Sequence, residues 1–218
     1  MGKLMMKETE KRGQYLATLE GETLGILGWI ARYRKDTYRA LMKEVDGGRS
    51  FRGISFEEEV KIGTRFRRRT HLFDYEKRKW IRIKRNKDGT IEKTEEGIPA
   101  GMIYNDFITA SYNFRYGAYG AIERGRRYVV PTFPKKGVTS YEVQVALKEE
   151  EEKRRKSEGL KAGRDFFVKL FLDPEVTHSR EGIIEGWLSD DLCPMEGKIR
   201  DVFFFGDVKG ALIKKSRG

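Results

Sequence analysis

Between Tyr104 and Phe133 the chain changes its hydrophobic period, and that single change restricts the folds open to it. Phe107, Ala110, Ser111 and Phe114 recur at spacings of three and four, which gives a helix with one apolar or small face. Asn105 and Asp106 stand where a helix start needs a side-chain acceptor. Gly117, Gly120 and Gly125 then end the helical period, and Arg126 to Phe133 alternates like a strand, with Pro131 near an edge or an end. The spacing predicts one principal helix over about 105–116. Nearly everything else reads as strand.

Along the chain, Tyr15 to Leu19 and Leu24 to Tyr33 read as an opening hairpin. Thr37 to Val45 ends at the turn Asp46, Gly47, Gly48, and Phe51 to Ile62 is extended again. From Thr64 to Tyr75 one side carries Phe66, Arg68, Thr70 and Leu72, the other Arg65, Arg67, Arg69, His71 and Phe73. Lys79 to Arg85 places Trp80, Arg82 and Lys84 on one face and Ile81 and Ile83 on the other. Asn86 to Gly89 is a hairpin turn, Thr90 to Thr94 the return strand, and Glu95 to Met102 a loop. Val138 to Leu147 alternates most cleanly, with Tyr141, Val143, Val145 and Leu147 to one side. Lys148 to Glu158 pairs opposite charges at four-residue spacing, as a helix does, yet has no apolar stripe to dock. It reads equally as two solvated strand ends. Asp165 to Asp173, Gly182 to Ser189 and a closing hairpin about Gly206 complete the pattern.

The expectation is a mainly β fold: a strongly curved antiparallel sheet or incomplete barrel with one principal helix. Residues 1–12 read as a tail, 13–214 as a single β-rich domain and 215–218 as a second tail. A chain with 38% hydrophobic and 36% charged residues suits a sheet with one wet face. Its net charge of +11 invites an anionic partner such as nucleic acid, phospholipid or a phosphorylated glycan, or simply keeps the protein soluble. No apolar run reaches the roughly 18 residues needed to cross a bilayer. The start MGKLMMKETE lacks the apolar core of a secretory leader, and Met6 stands where N-myristoylation favours Ser or Thr. Either a cytosolic protein or a mature exported chain is expected.

Several of these residues carry a family likeness. Tyr104, Asn105 and Asp106 lead to Ser111, Tyr112, Phe114 and Arg115, followed by Gly125 and a strand with Pro131. Later come Trp187, Leu188, Ser189, Asp190, Asp191 and Pro194, and a closing Gly206, Val208 and Leu212. In this the chain, from about Gly13 to Leu212, resembles the bacterial domain of unknown function 3108. The resemblance implies a cell-envelope or periplasmic protein with a large curved antiparallel sheet, and no particular activity. Its members usually follow a secretory leader and usually read as plain strand where this chain has KEEEEKRRKSE. By looser analogy the sheet is similar to the open barrels of lipoprotein carriers, which wrap a helix or a ligand.

Chemistry-bearing residues are sparse. His71 and His178 match no metal-ligand spacing, and the lone Cys193 forms neither a disulfide nor a cluster. Ser189 lacks the glycines of a nucleophile elbow, and the glycines after the helix fit neither a phosphate loop nor a dinucleotide fingerprint. Asp190 and Asp191 point to opposite sides of any strand. No cofactor, metal or enzymatic activity is expected. Arg115 reads more simply as a buried or rim ion pair than as a ligand contact. The remaining signal is basic and aromatic. An apolar concavity supplied by Tyr141, Val143, Val145, Phe166, Val168, Leu170, Phe107 and Phe114 is expected, filled either by side chains or by the acyl chain of a lipid-like ligand. Arg67, Arg69, Arg82 and Lys84 would then meet an anionic head at the rim, with Arg115 as a further candidate. The alternatives are a single-stranded nucleic-acid module using the interleaved rings and cations, or an envelope hydrolase.

Overall fold

The computed structural model describes residues 2–23, 32–86, 88–135, 138–159, 163–172, 174, 179–202 and 206–215. The chain is mainly β, with strands β1 (Gly2–Glu8), β2 (Gln14–Glu22), β3 (Lys35–Val45), β4 (Ser50–Ile62), β5 (Arg65–Asp74), β6 (Lys79–Arg85) and β7 (Ile91–Gly97). Helix α1 (Phe107–Arg115) precedes β8 (Arg127–Lys135) and β9 (Val138–Val145). Helix α2 (Lys148–Glu158) is followed by β10 (Phe166–Phe171), β11 (Ile183–Leu188), β12 (Pro194–Val202) and β13 (Gly206–Ala211). The strands form two open antiparallel sheets, of seven and six strands, each ordered as in the sequence.

Two compact units result where the sequence reads as one domain: Met1–Asn113 with Thr132–Pro134, and Phe114–Pro131 with Lys135–Gly218. The expected tail at 1–12 also gives way, because Gly2 to Glu8 pairs residue for residue with Gly21 to Tyr15. On its other side β2 pairs with β3. The second strand of the expected opening hairpin lies, from 24 to 31, outside the described residues.

In the first unit Ala17, Ala40, Met42, Phe51, Phe56, Phe73 and Trp80, from β2 to β6, share one buried cluster with Ile108 and Tyr112 of α1. Five strands spaced at about 4.8 Å are wider than a helix of about 10 Å. The sheet therefore curls for those side chains to gather on one helix. Phe51 and Phe56 are both buried although five residues apart, a spacing that alternation alone would send to opposite faces. Leu41 pairs with Ser55 and Met42 with Gly53, so Ile54 is the extra residue of a bulge that returns both rings to one face.

Helix α1 is capped as its sequence suggests. The Asp106 carboxylate accepts from the Ile108 and Thr109 N–H groups, each at 2.9 Å, and from the Thr109 hydroxyl at 2.6 Å. Its buried face differs from the expected one, however. Ser111 is exposed and Phe107 is 41% exposed, while Ile108, Thr109, Tyr112 and Asn113 are buried. Polar side chains occupy that face because they find partners there. The Asn113 amide accepts from Phe51 N–H at 2.6 Å and donates to Phe51 C=O at 2.8 Å. Gly117, at φ 73°, ends the helix in the left-handed conformation.

In the second unit Tyr128, Val130, Val143, Val145 and Val168 are buried. The opposite sheet face carries Phe167, Lys169, Glu185 and Trp187, paired across β10 and β11. Residues 148–158 are helical, and α2 docks there without an apolar stripe. The Arg154 guanidinium lies 4.1 Å from the Phe167 ring centre, and that of Arg155 lies 4.7 Å from the Trp187 ring centre. Lys169 meets Glu150 at 2.8 Å, and Arg154 meets Glu185 at 3.0 Å.

Candidate functional site

Strand register decides which expected site residues meet. Arg69 pairs with Lys84, His71 with Arg82 and Phe73 with Trp80. Partners across a ladder point to the same side, so Arg67, Arg69, Arg82 and Lys84 all lie on the face that carries the core. One row runs Ala40, Phe56, His71, Arg82, Thr94, and the next runs Tyr38, Glu58, Arg69, Lys84, Glu92. A third continues through Asp36, Val60 and Arg67. The face thus passes from apolar to charged along the strands. Phe107 joins this region, its ring 5.2 Å from that of Tyr38 and 5.5 Å from that of Phe56.

Phe114, Arg115 and Tyr141 belong to the second unit, so the set expected in one concavity is divided between the two. Phe114 packs edge-on against Tyr128 at 5.4 Å, and Tyr141 faces Val130 across the β8–β9 ladder. Arg115 helps hold the Asp191 carboxyl far below the usual range, after Lys215 and Ser189, which bond it directly. Ser189 is occupied there, donating to Asp191 at 2.5 Å.

Three of the four cations have carboxylate neighbours. Arg69 is 3.9 Å from Glu58, Lys84 is 3.1 Å from Glu92, and Arg82 is 3.8 Å from Glu96 while lying over Trp80. The Arg67 guanidinium has no carboxylate partner among the described residues. Beside it, Phe66, Arg67, Lys84, Arg85, Asn86 and Asp88 line an open cleft of about 450 Å³. Phe66, Arg85 and Asn86 were absent from the candidate site. Their signal in the sequence is adjacency to the turn after β6, where strand ends bring both faces within reach.

The interleaved rings do not form an exposed stacking platform. Trp80 is 3% exposed and Phe73 is buried, while Phe66 faces the other side of the sheet from Arg67. Among the described residues no group of three or more His, Cys, Asp and Glu gathers as a metal site would require. His178 lies outside the described residues. No helix among the described residues is long and apolar enough to cross a membrane.

Two buried titratable groups of the first unit oppose each other. The Trp80 indole N–H donates to His71 Nδ1 at 3.2 Å, and His71 stacks 4.5 Å from Phe133. Burial, then Arg82 and Arg69, lower its pKa from 6.5 to about 4. Burial raises that of Asp106 from 3.8 to about 6 against its three hydrogen bonds. The His71 contribution is present above pH 6.5 and lost as pH falls through 4. The Asp106 contribution is present below pH 3.8 and lost as pH rises through 6. Between pH 7 and 5 they offset to within about 1 kcal/mol. His71→Gln is expected to gain about 1 kcal/mol over that interval and Asp106→Asn to lose about 2 kcal/mol. Urea midpoints at the two pH values check this, and parallel behaviour of the two variants would refute it.

Comparison of the chain with family models, with curated proteins and with solved structures gives no match.

Proposed function

We propose that this chain is a non-catalytic binding protein of the bacterial cell envelope that holds an anionic amphiphile on the inner face of its first sheet. The observation that carries the reading is the register of β5 on β6, which collects Arg67, Arg69, Arg82 and Lys84 on a face continuous with an apolar core. An acyl chain lies along the half-exposed ring of Phe107 and its neighbour Tyr38, and the head lies among the cations. Each buried methylene contributes about 0.8 kcal/mol, so a partly open groove holds a long chain. Exposed cations contribute less and are screened by salt. The envelope setting rests on the resemblance described above.

Titration of a fluorescent fatty acid and of an anionic phospholipid tests the reading. Saturable binding that weakens with salt without vanishing is expected. Changing Arg67 and Arg69 together to Gln should weaken it about tenfold. Absence of saturable binding in both proteins would leave the sheet as a structural or partner-binding surface.

A further inference from the structure

We infer that the head group bound by this face is a phosphate monoester, clamped between Arg67 and Arg85 in the cleft where β5 begins and β6 ends. The inference rests on the amphiphile-binding reading and names the chemistry of its polar end.

Alternation sends Arg67 and Arg85 to opposite faces of the sheet, since Arg85 pairs with Arg68, yet both line the same cleft. They approach it from either side of the strand ends. The carboxylates near β5 and β6 pair with Arg68, Arg69, Lys79, Arg82 and Lys84, and among the described residues none pairs with Arg67 or Arg85. Lys84 gives one contact to Glu92 and has two further donors. The acid in the cleft lining, Asp88, is turned inward to its own loop, accepting from Thr90 N–H at 2.9 Å and from its hydroxyl at 2.6 Å. Asn86 is engaged in the same way, donating to Thr90 and Glu92. Asn86 and Asp88 therefore direct these polar atoms within the hairpin rather than to Arg67 or Arg85.

Two guanidinium forks and an ammonium suit a tetrahedral oxyanion that accepts several hydrogen bonds at once. A phosphate monoester carries about −1.5 to −2 charge near neutral pH, which matches two unpaired cations better than the single charge of a carboxylate. The cleft, at about 450 Å³, also has room for the glycerol or sugar that bears the phosphate, with the 42% exposed Phe66 ring as an apolar wall. Such a group reaches the site on a lipid or on a free phosphorylated molecule.

Calorimetry with dihexanoyl phosphatidate below its micelle concentration, with glycerol phosphate and with a fluorescent fatty acid separates these sources. Phosphatidate is expected to bind, and Arg85→Gln should weaken it about tenfold while changing fatty-acid affinity less than twofold. Phe66→Ala should weaken phosphatidate about threefold. Glycerol phosphate binding as tightly as phosphatidate would keep the monoester site and make its source a free molecule. Fatty-acid binding together with Arg85-independent phosphatidate binding overturns the inference and leaves the amphiphile reading standing. Failure of every anionic amphiphile to bind overturns both.

Discussion

Glu151→Ala is expected to lower the stability of the second unit by about 3 kcal/mol, although the residue lies on a helix with almost no apolar side chains. Glu151 is 2% exposed. One oxygen accepts the Phe167 N–H at 3.1 Å, and the other accepts Arg124 Nε at 2.9 Å. Arg124 is held further by the Asp165 carbonyl at 2.8 Å and lies 4.5 Å from the Phe166 ring centre. Removing the carboxylate leaves a buried amide without its acceptor and a half-buried guanidinium without its counter-charge. Deleting one member of a buried pair costs about 3–5 kcal/mol, and the partial exposure of Arg124 places this case at the lower end. Glu151→Gln keeps a carbonyl for one of the two donors and should lose about half as much. Urea unfolding followed by fluorescence of Trp187, which lies under Arg155, reports the change. A loss under 1 kcal/mol for the Ala variant would mean that α2 is held by its other contacts.

The largest effect in the first unit belongs to Phe56. Its side chain is 0% exposed and lies among Tyr38, Phe107, His71 and Phe133, with ring centres 5.5–6.2 Å away. Phe56→Ala should cost about 4 kcal/mol, because the curled sheet and α1 close only partly around the space left behind. Phe56→Leu, which refills most of that volume, should cost about 1.5 kcal/mol. The Ala variant should also loosen the seat of Phe107 and so weaken amphiphile binding. Urea midpoints together with the fatty-acid titration test both effects. A similar cost for Ala and Leu would show that the site collapses freely and that Phe56 is not central to the core.

Most strands were legible because their side chains alternate between a wet and a dry side. Lys79–Arg85 is a strand with the bounds its pattern suggests, and β3, β5, β9 and β11 fall within a few residues of theirs. Where legibility failed, a local pattern was overruled by a partner far along the chain. Residues 2–8 carry their apolar side chains as one run, Leu4 to Met6, with none β-branched or aromatic, so no alternation signals a strand and pairing with β2 makes them one. The exposed Ser111 and buried Asn113 follow from the hydrogen bonds Asn113 makes to Phe51, 62 residues away. Only the solvated, charge-paired character of α2 was legible, since its pattern fits a helix and two strand ends equally. Its docking was not, since an Arg stem on an aromatic ring leaves no apolar stripe in the sequence. Likewise the cations of β5 and β6 could be assigned to faces within each strand, but only the register shows that those faces coincide.

In both sheets each strand lies beside its neighbour in the chain. Such an arrangement needs no distant segment to be inserted between strands already paired, and each hairpin closes only a modest loop. The first sheet can therefore be laid down in the order in which its residues leave the ribosome, with β7 complete before α1 is made. Until α1 arrives, however, the rings of Phe56, Phe73 and Trp80 have no helix to cover them. The interval between synthesis of β7 and of α1 is thus the moment of greatest exposure for a nascent chain whose inner face is apolar. Its length is set by the residues from Ile98 to Asp106, a short stretch to translate.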